Sequence, residues 1–250
     1  MGVSVLLTRP ETQSRRFAEA LQAAHAGKVA PILAPLQRIE PAPPLPDLPR
    51  GAVAVFTSEN GVAAFAAMGG TGAGRRAWCV GTRTAAAARA AGFDVRTGPG
   101  DARGLAAAIL AHDESGENGD GDSENGAGPF VHLHGAHVSG DVAGTLVAAG
   151  RAACAHAIYA QVACPMPAAG RRVLDGGAPV IVPVFSARSA ALLAPYLAQA
   201  RAPLALAAIS PAVATGLGVQ SGATIRVADR PDAAAMVDAV GAFLEERKIS

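Results

Sequence analysis

The stretch AVAVFTSENGVAAF, residues 52–65, determines how the rest of the chain is interpreted. Its Val-rich apolar run ends at Thr57 and Ser58, and a helix-forming pattern begins at once, which is typical of a strand that leads into a helix. The same device returns 128 positions later as PVFSARSAALL, residues 183–193. Serine caps a helix well, and the first amides of a helix favour anions, so each copy predicts an anion-binding edge.

Similar units follow each copy in the same order. They read AWCVGTRTAAAARAAGFDV at residues 77–95 and LALAAISPAVATGLGVQSGATIRV at residues 204–227. Strands that alternate with helices in this way predict parallel sheets covered by helices. We therefore predict an α/β fold of two similar three-layer domains with parallel sheets, joined by two extended linkers, with a ligand cleft between them.

Proline-rich breaks near residues 35–49 and 163–170 interrupt the alternation and flank one central block. A domain built from both chain ends would hold the outer pieces. We predict this domain over residues 1–36 plus 166–250, a central domain over 40–160, and linkers over 35–49 and 158–167.

Residues 113–128, DESGENGDGDSENGAG, contain one Ala as their single apolar residue, and we predict a disordered surface loop there. This stretch contains six carboxylates, between Asp113 and Glu124, and no basic residue. Since the net charge of the whole chain is +1, the remainder carries a surplus of seven positive charges that would attract an anion. The bases are mostly Arg, spread singly, so we expect no nucleic-acid partner.

In the chain of 250 residues, no run of consecutive apolar residues approaches the roughly 18 to 20 residues that a membrane span needs. Its N-terminus reaches charge too soon for a signal peptide. We therefore expect a cytoplasmic protein with no membrane partner, and a monomer. The three cysteines lie far apart without a CxxC pair, which argues against a disulfide framework and against a thiolate metal site.

Hydroxyl side chains follow several predicted strands, where ligands of parallel sheets usually bind. Taken singly, each would be an ordinary helix cap. Their recurrence in both halves instead favours a cleft that holds an anionic ligand through amides and hydroxyls. These residues are Thr57, Ser58, Thr82, Thr84, Ser186 and Ser210.

Other motifs do not support cofactor or metal chemistry. The segment GPGDARG, residues 98–104, has neither dinucleotide-binding spacing nor a Walker sequence. The segment HLHGAH would place His132 and His134 on one face of a strand, but no carboxylate or Cys has matching spacing. We expect one inward and one solvated histidine, no metal and no cofactor. Tyr159, at the passage between the predicted domains, would face either the cleft or the core.

The sequence resembles the uroporphyrinogen-III synthase family over almost its whole length. The resemblance is carried by an ordered series with a lone Tyr at position 159: VLLTRP, VFTSENGV, CVGTRTA, AIYAQV, VFSARSA and AISPAVA. It implies a cofactor-free lyase of haem biosynthesis. Linear hydroxymethylbilane, the implied partner, loses water, ring D inverts through a spiro intermediate, and the macrocycle closes to uroporphyrinogen III. The substrate carries eight carboxylates.

The resemblance also implies roles for single residues. Tyr159 matches a tyrosine thought to assist departure of the hydroxyl, as general acid or through an ordered water. Arg9 is an expected partner for a propionate. The predicted substrate-binding set is Arg9, Ser58, Asn60, Thr82, Thr84, Ser186 and Ser210.

Two places depart from the family pattern. Ile209 to Ala214 read ISPAVA, without the family's threonine, and Leu133-His134-Gly135 stands where bacterial members often have Leu-Arg-Gly. The alternative is a non-catalytic tetrapyrrole-binding or regulatory module on the same scaffold. A sensor for another small anion is a third interpretation.

Overall fold

The computed structural model describes residues 2–114, 128–138, 140–217 and 223–246. The chain divides into two compact units. Unit 1 comprises Met1–Arg38 and Val162–Ser250, and unit 2 comprises Ile39–Gln161. From residue 115 to residue 127, the acidic stretch predicted as a disordered loop lies outside the described residues.

Strands and helices alternate along the chain. In chain order the strands are β1 Val3–Leu7, β2 Val29–Leu33, β3 Gln37–Pro41, β4 Val53–Phe56, β5 Arg76–Cys79, β6 Asp94–Thr97, β7 Phe130–Gly135, β8 Ala153–Ala163, β9 Val180–Val184, β10 Leu204–Ala208 and β11 Thr224–Val227. The helices are α1 Glu11–Ala24, α2 Glu59–Ala67, α3 Thr82–Ala90, α4 Ala102–Glu114, α5 Val142–Ala148, α6 Ala168–Leu174, α7 Ala187–Leu197, α8 Pro211–Gly216 and α9 Ala233–Glu246.

Each unit is built on one sheet. The order is β11-β10-β9-β1-β2 in unit 1 and β3-β8-β7-β4-β5-β6 in the sheet of unit 2. Parallel pairing holds along the series from β2 to β11 and from β8 to β6. The predicted α/β class with parallel sheets is confirmed, and the repeated series corresponds to β4-α2-β5-α3-β6 and β9-α7-β10-α8-β11.

Helices cover both faces of each sheet. In β1, Val5 and Leu7 pack with α1 and α9, whereas Leu6 packs with α7 on the opposite face. In β4, Phe56 packs with α2 and α3, whereas Val55 packs with α4 and α5. Successive strand residues point to opposite faces, so both faces of these strands must be apolar. The result is a three-layer arrangement in each unit.

Regular structure extends into the stretches where the sequence predicted linkers. The strand β3 lies within residues 35–49 although Pro41 ends it, and β8 continues to Ala163. Proline lacks an amide hydrogen and is tolerated at the edge of a sheet, which is where β3 lies. Short edge strands of this kind are hard to predict from a proline-rich sequence.

Strand order reverses at one point along each parallel series. The reversal lies between β1 and β9 in unit 1 and between β4 and β7 in unit 2. Chains that leave neighbouring strands in opposite directions open a crevice at the carboxyl ends, where ligands of such folds bind. Arg9 and Ser186 follow the strands at the first reversal, and Ser58 and Ala136 follow those at the second.

Among the described residues, no helix combines the length and apolar composition that crossing a bilayer requires.

Phe56→Ala should destabilise unit 2 by about 3–5 kcal/mol, because it leaves a cavity in a packed aromatic cluster. Phe56 is fully buried, and its ring centroid lies 5.4 Å from that of Phe93 and 6.1 Å from that of Phe65. Urea unfolding followed by the fluorescence of Trp78, the single tryptophan, reports on this unit. Val147→Ala, at a position 54% exposed in the same unit, should change stability by less than about 0.5 kcal/mol. Equal effects of the two changes would contradict the assignment.

Candidate functional site

A cavity of about 450 Å³ opens at the carboxyl edge of the sheet of unit 2. Its wall comes from the ends of β4, β5, β7 and β8 and from the turn that begins α4. It therefore lies at the reversal of strand order between β4 and β7. The lining residues are Thr57, Ser58, Val80, Gly100, Asp101, Ala102, Gly135, His137, Val138, Gly140, Tyr159 and Gln161.

Tyr159 belongs to both the core and the cavity wall. Its side chain is only 6% exposed and packs in the cluster that contains Phe56 and Val62, yet it also lines the cavity. Burial raises the pKa of the phenol above its ordinary value of 10, and a side-chain hydrogen bond with Ser58 acts in the opposite direction. The phenol is therefore protonated at neutral pH.

Ser58 serves two purposes at once. Its hydroxyl oxygen caps α2 by accepting a hydrogen bond from the amide of Asn60 at 3.2 Å. The same side chain lines the cavity and bonds to Tyr159. The helix-cap interpretation and the cavity interpretation therefore both apply to this residue.

Thr57, on the cavity wall, is paired with the buried His132. The Thr57 hydroxyl lies 3.0 Å from Nε2 of His132, whose side chain is 3% exposed. Burial, with a smaller contribution from His134, lowers the pKa of His132 to about 4 against the opposing effect of Asp141. The imidazole is therefore neutral at pH 7, and it fixes the position of the Thr57 side chain.

His134 is half-buried beside His132, with ring centroids 4.8 Å apart. Its Nδ1 donates a hydrogen bond to the carbonyl of Gly135 at 2.7 Å. The expected inward histidine is His132, whereas His134 is tied to the end of β7 rather than fully solvated. The Thr57–His132 pair was not predicted, because it depends on the pairing of β4 with β7, strands far apart in sequence.

The α4 end of the cavity carries a carboxylate. Asp101 lines the cavity, and its Oδ1 accepts a hydrogen bond from the amide of Gly104 at 2.8 Å. This bond caps the first turn of α4. One amide at the start of α4 is thus already bonded to Asp101. The exposed His137 lies on another part of the cavity wall, near the end of β7.

Three other predicted binding residues of unit 2 are not among the residues that line the cavity. Asn60 is half-buried in the first turn of α2. Thr82 is exposed at the start of α3, and Thr84 is buried on the core side of this helix. Gly81, and not a hydroxyl residue, occupies the cap position of α3. The binding roles of these side chains stay predictions.

In unit 1, the predicted residues Arg9 and Ser186 follow the two strands at the reversal of strand order. The guanidinium of Arg9 lies over the ring of Phe185, 4.3 Å from its centroid. Ser186 caps α7 by accepting a hydrogen bond from the amide of Ser189 at 3.1 Å and donates its own hydroxyl to Ser189 at 2.9 Å. Gln37, also buried, donates to the Ser189 hydroxyl at 3.2 Å.

Ser210 caps α8, accepting a hydrogen bond from the amide of Val213 at 3.4 Å. Pro211 occupies the first position of this helix, where the missing amide hydrogen costs little. The segment ISPAVA, which departs from the family pattern, therefore still begins a capped helix. It lacks the family's threonine, and Ala212 supplies no hydroxyl in its place.

Within the described ranges, no group of three or more His, Cys, Asp or Glu side chains could hold a metal ion. Cys79 is fully buried in β5, and burial raises the pKa of its thiol to about 12. This cysteine is part of the core, as its position in an apolar strand predicts.

Lowering the pH should destabilise the fold through His132. Its pKa of about 4 in the folded chain lies below the ordinary 6.5, so between these values the unfolded chain binds a proton that the folded chain does not. Stability should fall by about 2 kcal/mol from pH 7 to pH 5 on account of this residue. Urea unfolding at both pH values, compared with His132→Gln, measures the effect; the variant should lose most of the pH dependence. An unchanged slope in the variant would contradict this origin.

Comparison with known proteins gives the family. The family model Uroporphyrinogen-III synthase HemD matches residues 15–238. A crystal structure of uroporphyrinogen-III synthetase from Helicobacter pylori 26695 is 13% identical, with a TM-score of 0.60, and the match covers 97% of this chain and 100% of that one. At this identity the similarity shows the fold alone.

A mutant uroporphyrinogen III synthase from the extremely thermophilic bacterium Thermus thermophilus is 15% identical over 100% of both chains, with a TM-score of 0.42. This score is too low to support a structural argument. The sequence has no significant match among curated proteins. Because the family model matches most of its length, from residue 15 to residue 238, the chain belongs to the uroporphyrinogen-III synthase family.

Proposed function

We propose that this chain cyclises hydroxymethylbilane to uroporphyrinogen III, with inversion of ring D and loss of water, and that Tyr159 assists the departure of the hydroxyl group. The family to which the chain belongs supports the reaction. One observation supports the role of Tyr159: its phenol lines a cavity of about 450 Å³ at the reversal of strand order in unit 2. Ligands of open α/β sheets bind at such places.

The environment of Tyr159 suits a proton donor. A general acid must hold its proton until the leaving group accepts it. Burial raises the pKa of this phenol above 10, so it stays protonated throughout the neutral range. The hydrogen bond with Ser58 orients the phenol and stabilises the phenolate that forms when the proton is transferred.

The proton count closes over one turnover. The phenol gives its proton, directly or through one ordered water, to the hydroxyl of the substrate, whose carbon–oxygen bond breaks to release water. The cation left behind is attacked by the substituted α-carbon of ring D, which gives the spiro intermediate. The bond from this carbon to its former methylene bridge then breaks, and the bridge forms a new bond to the unsubstituted α-carbon of ring D, which carries hydrogen. Loss of this hydrogen as a proton restores the phenol, so Tyr159 ends the cycle as it began.

The substrate's carboxylates meet helix starts and Arg9. Unpaired amides at the start of a helix attract anions, and Ser58 and Ser186 each cap such a start at a reversal of strand order. Arg9 adds a full positive charge beside Phe185 in unit 1. Asn60 lies beside Ser58 in the first turn of α2, and Thr82 and Ser210 lie at two further helix starts; these side chains supply additional polar contacts.

Product analysis tests the reaction itself. The purified protein is incubated with hydroxymethylbilane generated enzymatically, and the porphyrin isomers are separated after oxidation. The type III isomer should predominate. Formation of the uncatalysed type I isomer alone would reject the proposal, and binding of the bilane without a change in isomer ratio would identify a non-catalytic tetrapyrrole-binding module.

Tyr159→Phe should lower kcat by about 100-fold and leave KM within about twofold, because it removes the proton donor but keeps the ring. Steady-state rates of type III formation measure this. Tyr196→Phe is the matched control: the Tyr196 hydroxyl accepts a hydrogen bond from the amide of Met166 at 3.0 Å in unit 1, and its loss should leave kcat unchanged. Equal kcat values for Tyr159→Phe and the unaltered protein would exclude the acid role.

Arg9→Gln should raise KM about tenfold with little change in kcat, because it removes one charge-assisted contact to a substrate carboxylate. The control is Arg15→Gln on α1, where the exposed Arg15 is paired with Glu11. This control should keep KM within about twofold. An equal rise in KM for both variants would indicate a loss of general positive charge and not of a specific contact.

A further inference from the structure

We infer that Gly135, together with the β-bulge beside it, is the positioning element that holds the Tyr159 phenol at the cavity wall. The inference rests on the proposed role of Tyr159 and assigns a second residue to the same reaction. It predicts that position 135 tolerates no side chain, however small, without a loss of turnover.

The bulge is visible in the pairing of β7 with β8. His134 pairs with Ala157, but the next residue, Gly135, pairs with Tyr159, so Ile158 is the extra residue on β8. In a regular strand, neighbouring side chains point to opposite faces. Here Ile158 and Tyr159 are both buried in the same cluster. Bulges of this kind occur beside active sites, where they redirect a side chain.

Gly135 leaves the space that the redirected ring fills. A Cβ atom at position 135 would lie 2.6 Å from Cζ, 2.7 Å from Cε2 and 2.9 Å from the hydroxyl oxygen of Tyr159. Real Cβ atoms essentially never approach heavy atoms so closely. All three of its nearest neighbours would be atoms of this one ring, at the hydroxyl end. The φ angle of Gly135 lies outside the left-handed region, so its backbone conformation does not require glycine. The close approach of the Tyr159 ring does.

The remaining contacts leave the ring little room to yield. A Cβ atom at Gly61 of α2 would lie 3.7 Å from Cε1 of Tyr159, so this helix approaches the ring from another side. The Tyr159 carbonyl accepts a hydrogen bond from the amide of Ala136 at 2.8 Å, and Ser58 bonds to the phenol. A side chain at position 135 would therefore displace the hydroxyl from its partner.

The equivalent strand pair of unit 1 carries side chains of different size at the matching positions. There β1 and β2 occupy the places that β7 and β8 occupy in unit 2, and the last residue of β1, Leu7, pairs with Leu33. Leu7 is buried in the core. Where unit 1 has two leucines, unit 2 has Gly135 and Tyr159, and the space of the missing side chain is taken by the phenol.

A double-mutant cycle of Gly135→Ala and Tyr159→Phe tests the inference. Gly135→Ala alone should lower kcat for type III formation at least tenfold and leave KM within about twofold. In the Tyr159→Phe background the same change should cost less than twofold, because the displaced hydroxyl is already absent. Gly177→Ala is the control, because a Cβ atom there meets nothing within 4 Å. It should leave kcat unchanged.

A second measurement follows the ring itself. In a Tyr196→Phe background Tyr159 is the single tyrosine, and its pKa is read from absorbance as the pH rises. Gly135→Ala should move this pKa down towards 10 as the ring gains solvent, whereas Gly177→Ala should not. If Tyr159→Phe kept the wild-type turnover, the acid role of Tyr159 would be refuted, but the positioning of its ring by Gly135 would not. The titration reports the position of the ring independently of turnover.

Three results would overturn the inference: full kcat in Gly135→Ala, an equal loss in both backgrounds, or an unmoved Tyr159 pKa. Should Gly135→Ala fail to fold, adding Tyr159→Leu to it should restore folding, because the second change replaces the clashing ring by a smaller apolar side chain. Failure of this rescue would also overturn the inference, because the clash would then lie elsewhere.

Discussion

The reversal of strand order between β4 and β7 is the constraint on which the candidate site depends. Chains leaving these strands run to opposite sides of the sheet, so no connection fills the gap at their carboxyl ends. Ser58 follows one strand and Gly135 ends the other, and Tyr159 reaches the same gap from β8. The cavity therefore follows from topology, and the side chains determine its chemistry.

Within this cavity the polar groups are held by partners that leave them little freedom. Thr57 is bonded to a neutral, buried His132, and the Asp101 carboxylate is bonded to the start of α4. The Tyr159 phenol is fixed between a hydroxyl partner and two glycine contacts. Groups that are already oriented need not reorganise as charge develops in a reaction.

The two units use one plan with different residues. Both place a serine cap and a helix start at the reversal of strand order, with Ser186 in unit 1 and Ser58 in unit 2. Unit 1 adds the cation of Arg9 over an aromatic ring, whereas unit 2 adds the phenol of Tyr159. The repeated sequence thus supplies two edges with helix starts that favour anions, and the side chains beside these helix starts differ between the units.

The sequence by itself determined the alternation of strands and helices, the serine caps and the order of motifs that identifies the family, because each depends on residues close together in the chain. It also singled out Tyr159, but it left open whether this ring faced core or cavity, and the structure has it in both. Only the tertiary structure decided that Thr57 meets His132, that Thr84 is buried off the cavity wall, that β3 forms an edge strand, and that Gly135 lies against Tyr159. These features depend on which distant strands become neighbours and in which register, and a one-residue shift of register moves every side chain to the other face.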